Sequence, residues 1–390
     1  MEKAQISRRE VLAVAAAGAA SLAVASSGFA AAPRQEGPLK WGIIGTGTRG
    51  AFTHIPVLKE APESEIVALC DVSEERLSSA AAKVPHPTAQ YTDYQKLLTD
   101  PNVNAIVIAV PNLLHREILL AAIQTGKPIL CEKPAGSTPA DAIAIKQMVD
   151  SARQLIMFGM QYRNNPKARK IADLIAAGDI GKPKYIVQHC SRGDWNLKAE
   201  VWRYSDPKLG GKPMNWRFSH TASGGTLNEF SCHYLDLLHW YAGALPERIS
   251  GDGGIAVYKD GRDTWDYATV NMKYPNGVTA VHTLSMFGPG RNDTVVFGDE
   301  GSIEQVGEVF RLSRSAKNGK RIQDVTMDPP ARKSSDGATL GLYIDFLECL
   351  KTGKKPEAHV DRAVAASRTC WLAELAAEKK AEIGWNDLSA

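Results

Sequence analysis

The chain has 390 residues, of which 44% are hydrophobic and 23% are charged. This length and balance are typical of a soluble globular protein with two domains and a sizeable core. The formal net charge of +3 at pH 7 gives no basis for binding nucleic acid or an anionic membrane surface, so both classes of partner are excluded.

Residues 1–30 have the pattern of a twin-arginine signal peptide. Arg8 and Arg9 follow Ser7, an Ala-rich and mildly apolar run covers residues 11–25, and small residues near Ala30 offer a cleavage site. Such a leader predicts export of the folded chain by the twin-arginine machinery, to the periplasm or otherwise out of the cytoplasm. An uncleaved membrane anchor is the alternative. Because Ala and Ser make the run weakly apolar, no stable membrane insertion is expected after cleavage.

The six cysteines are spaced irregularly and fall in predicted strands and helices. Disulfides are common in exported proteins, but this spacing favours free buried thiols. The sequence has no Cys-x-x-Cys pair and no His-Glu-x-x-His pattern, so no metal site is predicted.

Residues 39–160 alternate short apolar runs with helical stretches, which is typical of a parallel sheet wrapped by helices. Strands are predicted at Lys40–Ile44, Ile66–Cys70, Ala105–Val110, Ile129–Cys131 and Leu155–Phe158. Helices are predicted at Gly50–Glu60, Ser73–Ala82, Tyr94–Thr99, Leu113–Gln124 and Pro139–Arg153. The pattern predicts an α/β fold that begins with a Rossmann dinucleotide-binding domain over residues 39–160.

A Gly-x-Gly-x-x-Gly fingerprint, formed by Gly45, Gly47 and Gly50, joins the first predicted strand to the first helix. The glycines let the backbone approach a pyrophosphate seated on the helix N-terminus. Asp71 ends the next strand, where its carboxylate would accept from a ribose 2′-hydroxyl and repel the 2′-phosphate of NADP. We therefore predict NAD as the cofactor, with NADP disfavoured. A glycine-rich turn without a ligand is the alternative.

Residues 161–390 are predicted to form a second α/β domain for substrate binding and oligomerisation. After a helix that ends at Ala177, strands are predicted at Lys184–Arg192, Ile249–Lys259, Trp265–Tyr274, Gly277–Phe287 and Thr294–Gly298. Pro275-Asn276-Gly277 predicts a hairpin turn. The strands predict one large open, mostly antiparallel sheet. Closing helices at Thr339–Lys351 and Asp361–Lys380 are expected to pack back on both domains.

A helix predicted from Gly225 to Ala242 carries two stripes of side chains. One stripe is apolar, whereas Glu229, His233, Asp236 and Trp240 share the opposite side. Two stripes predict that one side packs and the other faces a cleft, where Glu229 meets His233 across one turn and orients its imidazole. A solvated helix face with an ion pair is the alternative.

The loop over residues 192–223 contains Trp202 and Trp216 among polar donors. Aromatic faces beside donors suit a sugar ring, so the loop is predicted to form a lid over the cleft, with Trp202 and Trp216 as substrate contacts. The alternative is that these tryptophans bury a long loop.

Three stretches resemble the Gfo/Idh/MocA oxidoreductases: Pro111-Asn112-Leu113-Leu114-His115, residues 122–128, and Glu132-Lys133-Pro134. The resemblance covers the mature chain and implies cofactor contacts from Pro111, Asn112, His115, Glu132 and Lys133. Asn112 also suits a helix cap, which is the alternative for that turn. Candidate contacts to the cofactor further include Thr48, Arg49 and Gln161, and candidate contacts to the substrate include Arg163 and Asp236.

Lys133 follows a central strand, at the edge where open α/β sheets bind their ligands. We therefore expect it to orient and polarise a substrate hydroxyl; a solvated surface lysine is the alternative. The unperturbed pKa of histidine lies near working pH, which predicts His233 as the general base. Glu229 would fix His233 or a neighbouring hydroxyl. The family also carries an acid and a histidine on this helix, although Glu229 is one methylene longer than the usual Asp.

These features predict an exported oxidoreductase that moves hydride between a secondary hydroxyl of a sugar or sugar derivative and a tightly bound NAD. The nicotinamide cofactor must be retained, because it is made only inside the cell. An NAD-dependent glycosidase or lyase, which oxidises its sugar transiently, is the alternative. A catalytically silent ligand-binding relative is disfavoured because Lys133 and His233 are both present. The open sheet is a plausible surface for a homo-oligomer by analogy with the family.

Overall fold

The computed structural model describes residues 37–193, 203–307, 309–316, 319–324 and 337–388. The predicted leader and Trp202 lie outside these ranges. Within them, no helix has the length and apolar character that crossing a membrane requires. All six cysteines are buried and free, which confirms the prediction of free thiols.

The first half of the chain forms a six-stranded parallel sheet in the order β3-β2-β1-β4-β5-β6. Its strands are β1 Leu39–Ile44, β2 Ser64–Cys70, β3 Ala89–Tyr91, β4 Ala105–Ile108, β5 Ile129–Cys131 and β6 Ile156–Phe158. Strands β4, β5 and β6 are buried along their whole length, as expected for strands covered by helices on both faces. This order is that of the Rossmann fold, with its switch point between β1 and β4.

The helices of this half are Ile55–Leu58, Glu74–Ala81, Tyr94–Thr99, His115–Ile123 and Pro139–Ser151, with a π turn at Gly50–His54 and a 3₁₀ turn at Asn112–Leu114. Three helices begin at side-chain caps, from Ser73, Asp93 and Thr138. Asn112 does not cap the helix after it, because its side-chain amide donates to the Ser223 backbone oxygen in the second half of the chain. The cap alternative for Asn112 is therefore wrong.

The second half forms a nine-stranded sheet in the order β16-β15-β14-β13-β7-β12-β11-β10-β17. Its strands are β7 Pro183–Ser191, β10 Arg248–Gly254, β11 Tyr267–Lys273, β12 Thr279–Ser285, β13 Arg291–Gly298, β14 Gly301–Val306, β15 Val309–Ala316, β16 Gly319–Asp324 and β17 Ile383–Gly384. Only the β7 and β12 pairing is parallel. This arrangement confirms the predicted fold class, and the predicted hairpin turn joins β11 to β12 with Gly277 at φ 82°.

Strand β10 ends before the predicted Lys259. The Asp266 carboxylate accepts hydrogen bonds from the backbone amides of Ala256, Val257 and Tyr258, each at 2.8 or 2.9 Å, and this holds the segment as a loop. A short pair, β8 Arg203–Ser205 and β9 Pro213–Asn215, lies within the predicted lid, where no strand was predicted.

The helices of the second half are Pro166–Ala176, His220–Ser223, Cys232–Ala242, Gly337–Thr352 and Val360–Lys379. A 3₁₀ turn at Gln161–Asn164 follows β6, and a π turn at Leu227–Ser231 runs into Cys232–Ala242. We refer to residues 227–242, that π turn together with the helix after it, as the site helix. Tyr343, in the helix Gly337–Thr352, packs edge-on to Trp41 of β1, with ring centroids 5.3 Å apart. The C-terminal helices therefore contact both halves.

Candidate active site

The three fingerprint glycines have distinct environments. A β-carbon at Gly45, where φ is 95°, would lie 2.4 Å from the Ala109 carbonyl oxygen, and one at Gly50 would lie 2.0 Å from the Gly45 carbonyl oxygen. A β-carbon at Gly47 would meet no atom within 4 Å. Gly45 and Gly50 therefore allow close packing of strand, turn and helix, while Gly47 faces open space. This division of roles fits a turn that carries a pyrophosphate.

Gly47 opens into a cleft of about 330 Å³ at the carboxyl ends of the parallel strands. Its volume is within the range of small-molecule sites. Among the predicted site residues that the structure describes, those that line the cleft are Gly45, Gly47, Thr48, Arg49, Asp71, Pro111, Asn112, Glu132, Lys133, Trp216 and Glu229. The others, which are Gly50, His115, Gln161, Arg163, His233 and Asp236, are not part of its lining.

Asp71 is held at the end of β2 by the fingerprint itself. Its Oδ2 accepts from the Thr46 backbone N–H at 2.8 Å and from Thr46 Oγ1 at 3.1 Å, and its Oδ1 accepts from the Ser73 N–H at 3.0 Å. The carboxylate is therefore fixed beside the turn that would carry the phosphates. Arg76 also lines this part of the cleft.

Glu132 is the centre of a buried charge network. Its Oε1 accepts from Arg49 Nε at 2.6 Å and lies 3.0 Å from His54 Nε2, while His54 Nδ1 lies 2.7 Å from the Tyr343 hydroxyl. Burial alone would raise the pKa of Glu132, but the charge of Arg49, the His54 contact and Lys133 hold it well below its usual value. Glu132 is therefore ionised and engaged by the protein.

Gln161 belongs to the same network. With its amide oriented so that the oxygen faces Arg49, Gln161 accepts from Arg49 Nη2 at 2.9 Å and donates to the Gly159 carbonyl. It is buried behind Arg49 and does not line the cleft, and its contact with the cofactor stays a prediction. Sequence reasoning missed His54 and Tyr343. A histidine one turn after Gly50 was the only available signal for His54, and Tyr343 had none.

Lys133 and Glu229 meet at the cleft between the two halves of the chain. Lys133 Nζ lies 2.5 Å from the backbone oxygen of Glu229 and 3.3 Å from its Oε2. Arg217 Nε donates to Glu229 Oε1 at 3.0 Å, and Asn112 Nδ2 donates to Oε2 at 3.0 Å. Burial raises the pKa of Glu229, but Lys133, Arg217 and Asn112 outweigh it and the pKa is lowered. Glu229 is therefore a carboxylate that holds Lys133.

The predicted contact between Glu229 and His233 is not formed. The site helix begins with a π turn, whose i to i+5 hydrogen bonding means that residues four apart no longer lie directly above each other. In addition, the Glu229 carboxylate pairs with Lys133 and Arg217, which are on other elements. His233 instead stacks on Tyr162, with ring centroids 4.2 Å apart and planes at 12°. Burial first, and then the charge of Lys133, hold the pKa of His233 well below its usual value. The prediction of a general base used the unperturbed pKa of histidine, and this environment lowers that pKa. The role of His233 as a general base stays a prediction.

Arg163 and Asp236, predicted as substrate contacts, are directed at each other. Arg163 Nε and Nη2 donate to the two oxygens of Asp236 at 2.7 and 2.9 Å, and the two side chains are 1% and 3% exposed. The Trp240 ring covers the guanidinium at 4.8 Å. Neither side chain lines the cleft, and contact of this pair with substrate stays a prediction.

His115, predicted to contact the cofactor, is fully buried between two backbone oxygens. Its Nδ1 lies 2.9 Å from the Pro134 oxygen and its Nε2 lies 3.1 Å from the Val110 oxygen. It joins the turn after β4 to the turn after β5, and its contact with the cofactor stays a prediction. Asn112 Nδ2 similarly reaches the Ser223 oxygen at 2.8 Å, which joins the two halves beside the cleft.

Trp216, like Arg217 beside it, is a residue of the predicted lid that lines the cleft. It is 5% exposed and packs with Ala222 against Leu113 and Tyr204. The Arg217 guanidinium lies 4.4 Å from the Trp216 ring centroid. Both alternatives for this loop therefore describe Trp216, because its side chain packs within the loop and also presents an aromatic surface to the cleft. Arg217 was not singled out as a site residue from the sequence.

Within the described part of the chain, no group of three or more His, Cys, Asp or Glu side chains is arranged to hold a metal ion.

Two family models match the chain. The model described as "Oxidoreductase family, NAD-binding Rossmann fold" matches residues 39–160, and the model described as "GFO/IDH/MocA C-terminal domain" matches residues 168–304.

Among curated relatives, a levoglucosan dehydrogenase of Pseudarthrobacter phenanthrenivorans is 27% identical over 295 residues, which cover 68% of this chain and 73% of the relative. A 1,5-anhydro-D-fructose reductase of Ensifer adhaerens is 30% identical over 296 residues, which cover 74% of this chain and 79% of the relative. A myo-inositol 2-dehydrogenase of Thermotoga maritima is 26% identical over 319 residues, which cover 80% of this chain and 86% of the relative.

Solved structures share the whole fold. An oxidoreductase domain protein from Kribbella flavida has a TM-score of 0.77 at 21% identity, over 89% of this chain and 99% of its own. A levoglucosan dehydrogenase in complex with NADH has a TM-score of 0.75 at 20% identity, with the same coverage of 89% and 99%.

Proposed function

The chain belongs to the Gfo/Idh/MocA oxidoreductase family, and we propose that it is an exported member that holds its nicotinamide cofactor through the catalytic cycle. It is an NAD(P)-dependent sugar oxidoreductase. The observation that carries the assignment as an oxidoreductase is the Lys133 and Glu229 pair, which lies at the cleft that Gly47 opens into. The reported relatives are dehydrogenases and a reductase, which does not favour the glycosidase or lyase alternative.

The residues present fit NAD. Gly47 and Thr48 lie at the start of the fingerprint helix, where backbone amides can hold a pyrophosphate, and Asp71 is fixed where a ribose hydroxyl can donate to it. When bound, NAD accepts or returns a hydride at C4 of its nicotinamide. Arg49 and Glu132 line the same cleft, but they already neutralise each other.

Lys133 is the group in the cleft best suited to a substrate oxygen. Its ammonium donates to Glu229 twice and keeps its third donor for a sugar hydroxyl or carbonyl. Trp216 offers an aromatic face on which the apolar side of a sugar ring can stack. We propose that the substrate is a sugar or sugar derivative that binds between Lys133 and Trp216, and that hydride is exchanged with the carbon of a secondary hydroxyl.

Export and cofactor retention are linked in this proposal. The twin-arginine pattern at Arg8 and Arg9 supports export of the folded chain to the periplasm or beyond. No nicotinamide pool restores the cofactor there, so the cycle must close within the site, with the hydride passed to a second carbonyl or back to the same sugar. The outer face of the nine-stranded sheet is the proposed contact of a homo-oligomer.

The test is to purify the protein from the exported fraction and release what it holds. We expect bound nicotinamide, and many turnovers on a panel that includes levoglucosan and 1,5-anhydro-D-fructose with no NAD added. Empty protein that needs free NAD for each turnover would overturn the retention proposal. Lys133→Met should lower turnover by about 10²–10⁴-fold. Lys96→Met, on an exposed helix, is the matched control and should leave turnover unchanged.

A further inference from the structure

Arg49 lies in the fingerprint turn, but its guanidinium is directed at three other segments of the chain. Its Nε donates to Glu132 Oε1 at 2.6 Å, directly after β5. Its Nη2 donates to Thr339 Oγ1 at 3.2 Å, in the helix Gly337–Thr352. The same Nη2 donates to the Gln161 amide oxygen at 2.9 Å, in the turn after β6. The fingerprint turn is therefore tied to segments that lie far along the chain, the last of them in a C-terminal helix.

The π turn that follows Arg49 explains how two of its side chains reach one carboxylate. Arg49 and His54 are five residues apart, and in a regular α-helix such side chains point about 140° apart around the axis. The π turn Gly50–His54 has i to i+5 hydrogen bonding, which brings residues five apart closer to the same side. Both side chains reach Glu132 Oε1, at 2.6 and 3.0 Å. The local winding therefore directs both of them at one buried group.

The pairing of Arg49 with Glu132 is shielded from solvent. The Glu132 side chain is 5% exposed and the Arg49 side chain is 24% exposed. Burial opposes the ionisation of Glu132, and the charge of Arg49 is the largest of the contributions that lower its pKa. Hydrogen bonds between charged groups are shorter and stronger than neutral ones. Withdrawing the guanidinium is therefore costly, and the turn that carries it has little freedom to move.

The same turn carries the backbone amides that are suited to a pyrophosphate. Gly47, Thr48 and Arg49 all line the cleft, and the space beside Gly47 is open. A turn that is fixed before the cofactor binds loses little conformational freedom on binding. It also cannot relax around a departing cofactor, so its contacts to the phosphates must break together. Rigidity of this turn therefore favours slow release.

We propose that Arg49 is a positioning residue, which fixes the fingerprint turn against the helix Gly337–Thr352 and thereby slows the dissociation of NAD. The inference deepens the proposed function and rests on it, because it gives a structural cause for cofactor retention. Arg49 acts through the backbone of the turn and not through a contact with the phosphates. Changes within one binding site alter dissociation rates more than association rates, so the effect of Arg49 should be on release.

The test is the rate at which NADH leaves the purified protein, followed by stopped-flow fluorescence after mixing with excess NAD. Arg49→Lys keeps the charge but replaces a planar fork by a single point donor, which cannot reach Glu132 and Thr339 together. Thr339→Val removes only a hydroxyl and keeps the size of the side chain. We expect release to be at least about tenfold faster in Arg49→Lys and about threefold or more faster in Thr339→Val, with unchanged association rates.

Lys351→Met is the matched control for the docking of the C-terminal helix. Lys351 is on the same helix as Thr339, and its Nζ lies 2.5 Å from Glu63 Oε1 in the first half, but the two side chains are 53% and 52% exposed and neither lines the cleft. This variant should release NADH as the parent does. Equal acceleration in Lys351→Met would overturn the proposal, and so would a change confined to association rates.

The parent protein separates this inference from the retention proposal. Release of NADH from the parent within the time of one turnover would contradict retention. A parent that retains NADH, with equally slow release from Arg49→Lys and Thr339→Val, would contradict only the role of Arg49. Urea unfolding checks that the compared variants are folded, and Thr339→Val alone decides the matter if Arg49→Lys does not fold.

Discussion

The buried Arg163 and Asp236 pair gives a sharp test of which residues hold the fold and which contact substrate. Both oxygens of Asp236 accept from Arg163, at 2.7 and 2.9 Å, and the side chains are 1% and 3% exposed. Asp236→Ala leaves a buried guanidinium whose remaining carboxylate contact, Glu357, is 3.7 Å away and 42% exposed. Removing one partner of a buried pair costs about 3–5 kcal/mol. That is a large share of a typical free energy of unfolding, about 5–15 kcal/mol.

The assay is urea unfolding followed by tryptophan fluorescence and by far-UV circular dichroism. Asp150→Ala is the matched control, because its pair with Lys146 is 2.8 Å long but 54% and 38% exposed, and such surface pairs contribute about 0–1 kcal/mol. The double variant Arg163→Met with Asp236→Leu should recover most of the lost stability, since an apolar pair leaves no uncompensated charge. If Asp236→Ala unfolds like the parent but raises KM several-fold, the reasoning is refuted and Asp236 contacts substrate.

Three further results are expected. Gly47→Ala should weaken NAD binding with little loss of stability, whereas Gly50→Ala should destabilise the fold, because its β-carbon would lie 2.0 Å from a backbone oxygen. Calorimetry measures NAD binding and urea unfolding measures stability. Equal changes of both quantities in the two variants would contradict this expectation. Asp71→Ser should erode the preference for NAD over NADP in binding titrations, and a parent protein loaded with NADP would argue against the role of Asp71. Burial lowers the pKa values of His239 and His282 to about 3, so below pH 6.5 the unfolded chain binds more protons than the folded one. The free energy of unfolding should therefore fall as the pH decreases from about 6.5 towards 3, by up to about 1.4 kcal/mol per pH unit for each histidine. Identical urea midpoints at pH 7, 6 and 5 would contradict it.

The fold could be predicted largely from local pattern, and the exceptions have local causes. The strands β4 and β5 are fully buried, so each appears in the sequence as an apolar run. Strand β3 has only three residues, and none of them is fully buried, so it lacks such a run. Strand β10 stops early because of the Asp266 carboxylate, which lies 8 to 10 residues further along the chain than the amides that it holds in a loop.

The site could be predicted in part, because residue types indicate which groups carry chemistry but not which partners they find. Lys133 and Glu229 do line one cleft. The partner of Glu229 was misassigned. Helical spacing suggested His233, whereas the cations Lys133 and Arg217 and the Asn112 amide, on three other segments of the chain, compete for the same carboxylate. Arg163 and Asp236 are 73 residues apart, and their pairing depends on tertiary packing that no short pattern encodes.

The buried network that runs from Glu132 through His54 to the Tyr343 hydroxyl joins segments that leave the ribosome far apart in time. Glu132 and His54 belong to the first half of the chain, but the hydroxyl that completes their network is on the helix Gly337–Thr352, which leaves the ribosome among the last segments. A nascent chain that has emerged only to residue 160 has every strand of its parallel sheet but leaves this buried carboxylate and imidazole uncovered. The buried network around Glu132 is therefore completed only when the helix Gly337–Thr352 packs on the first half of the chain.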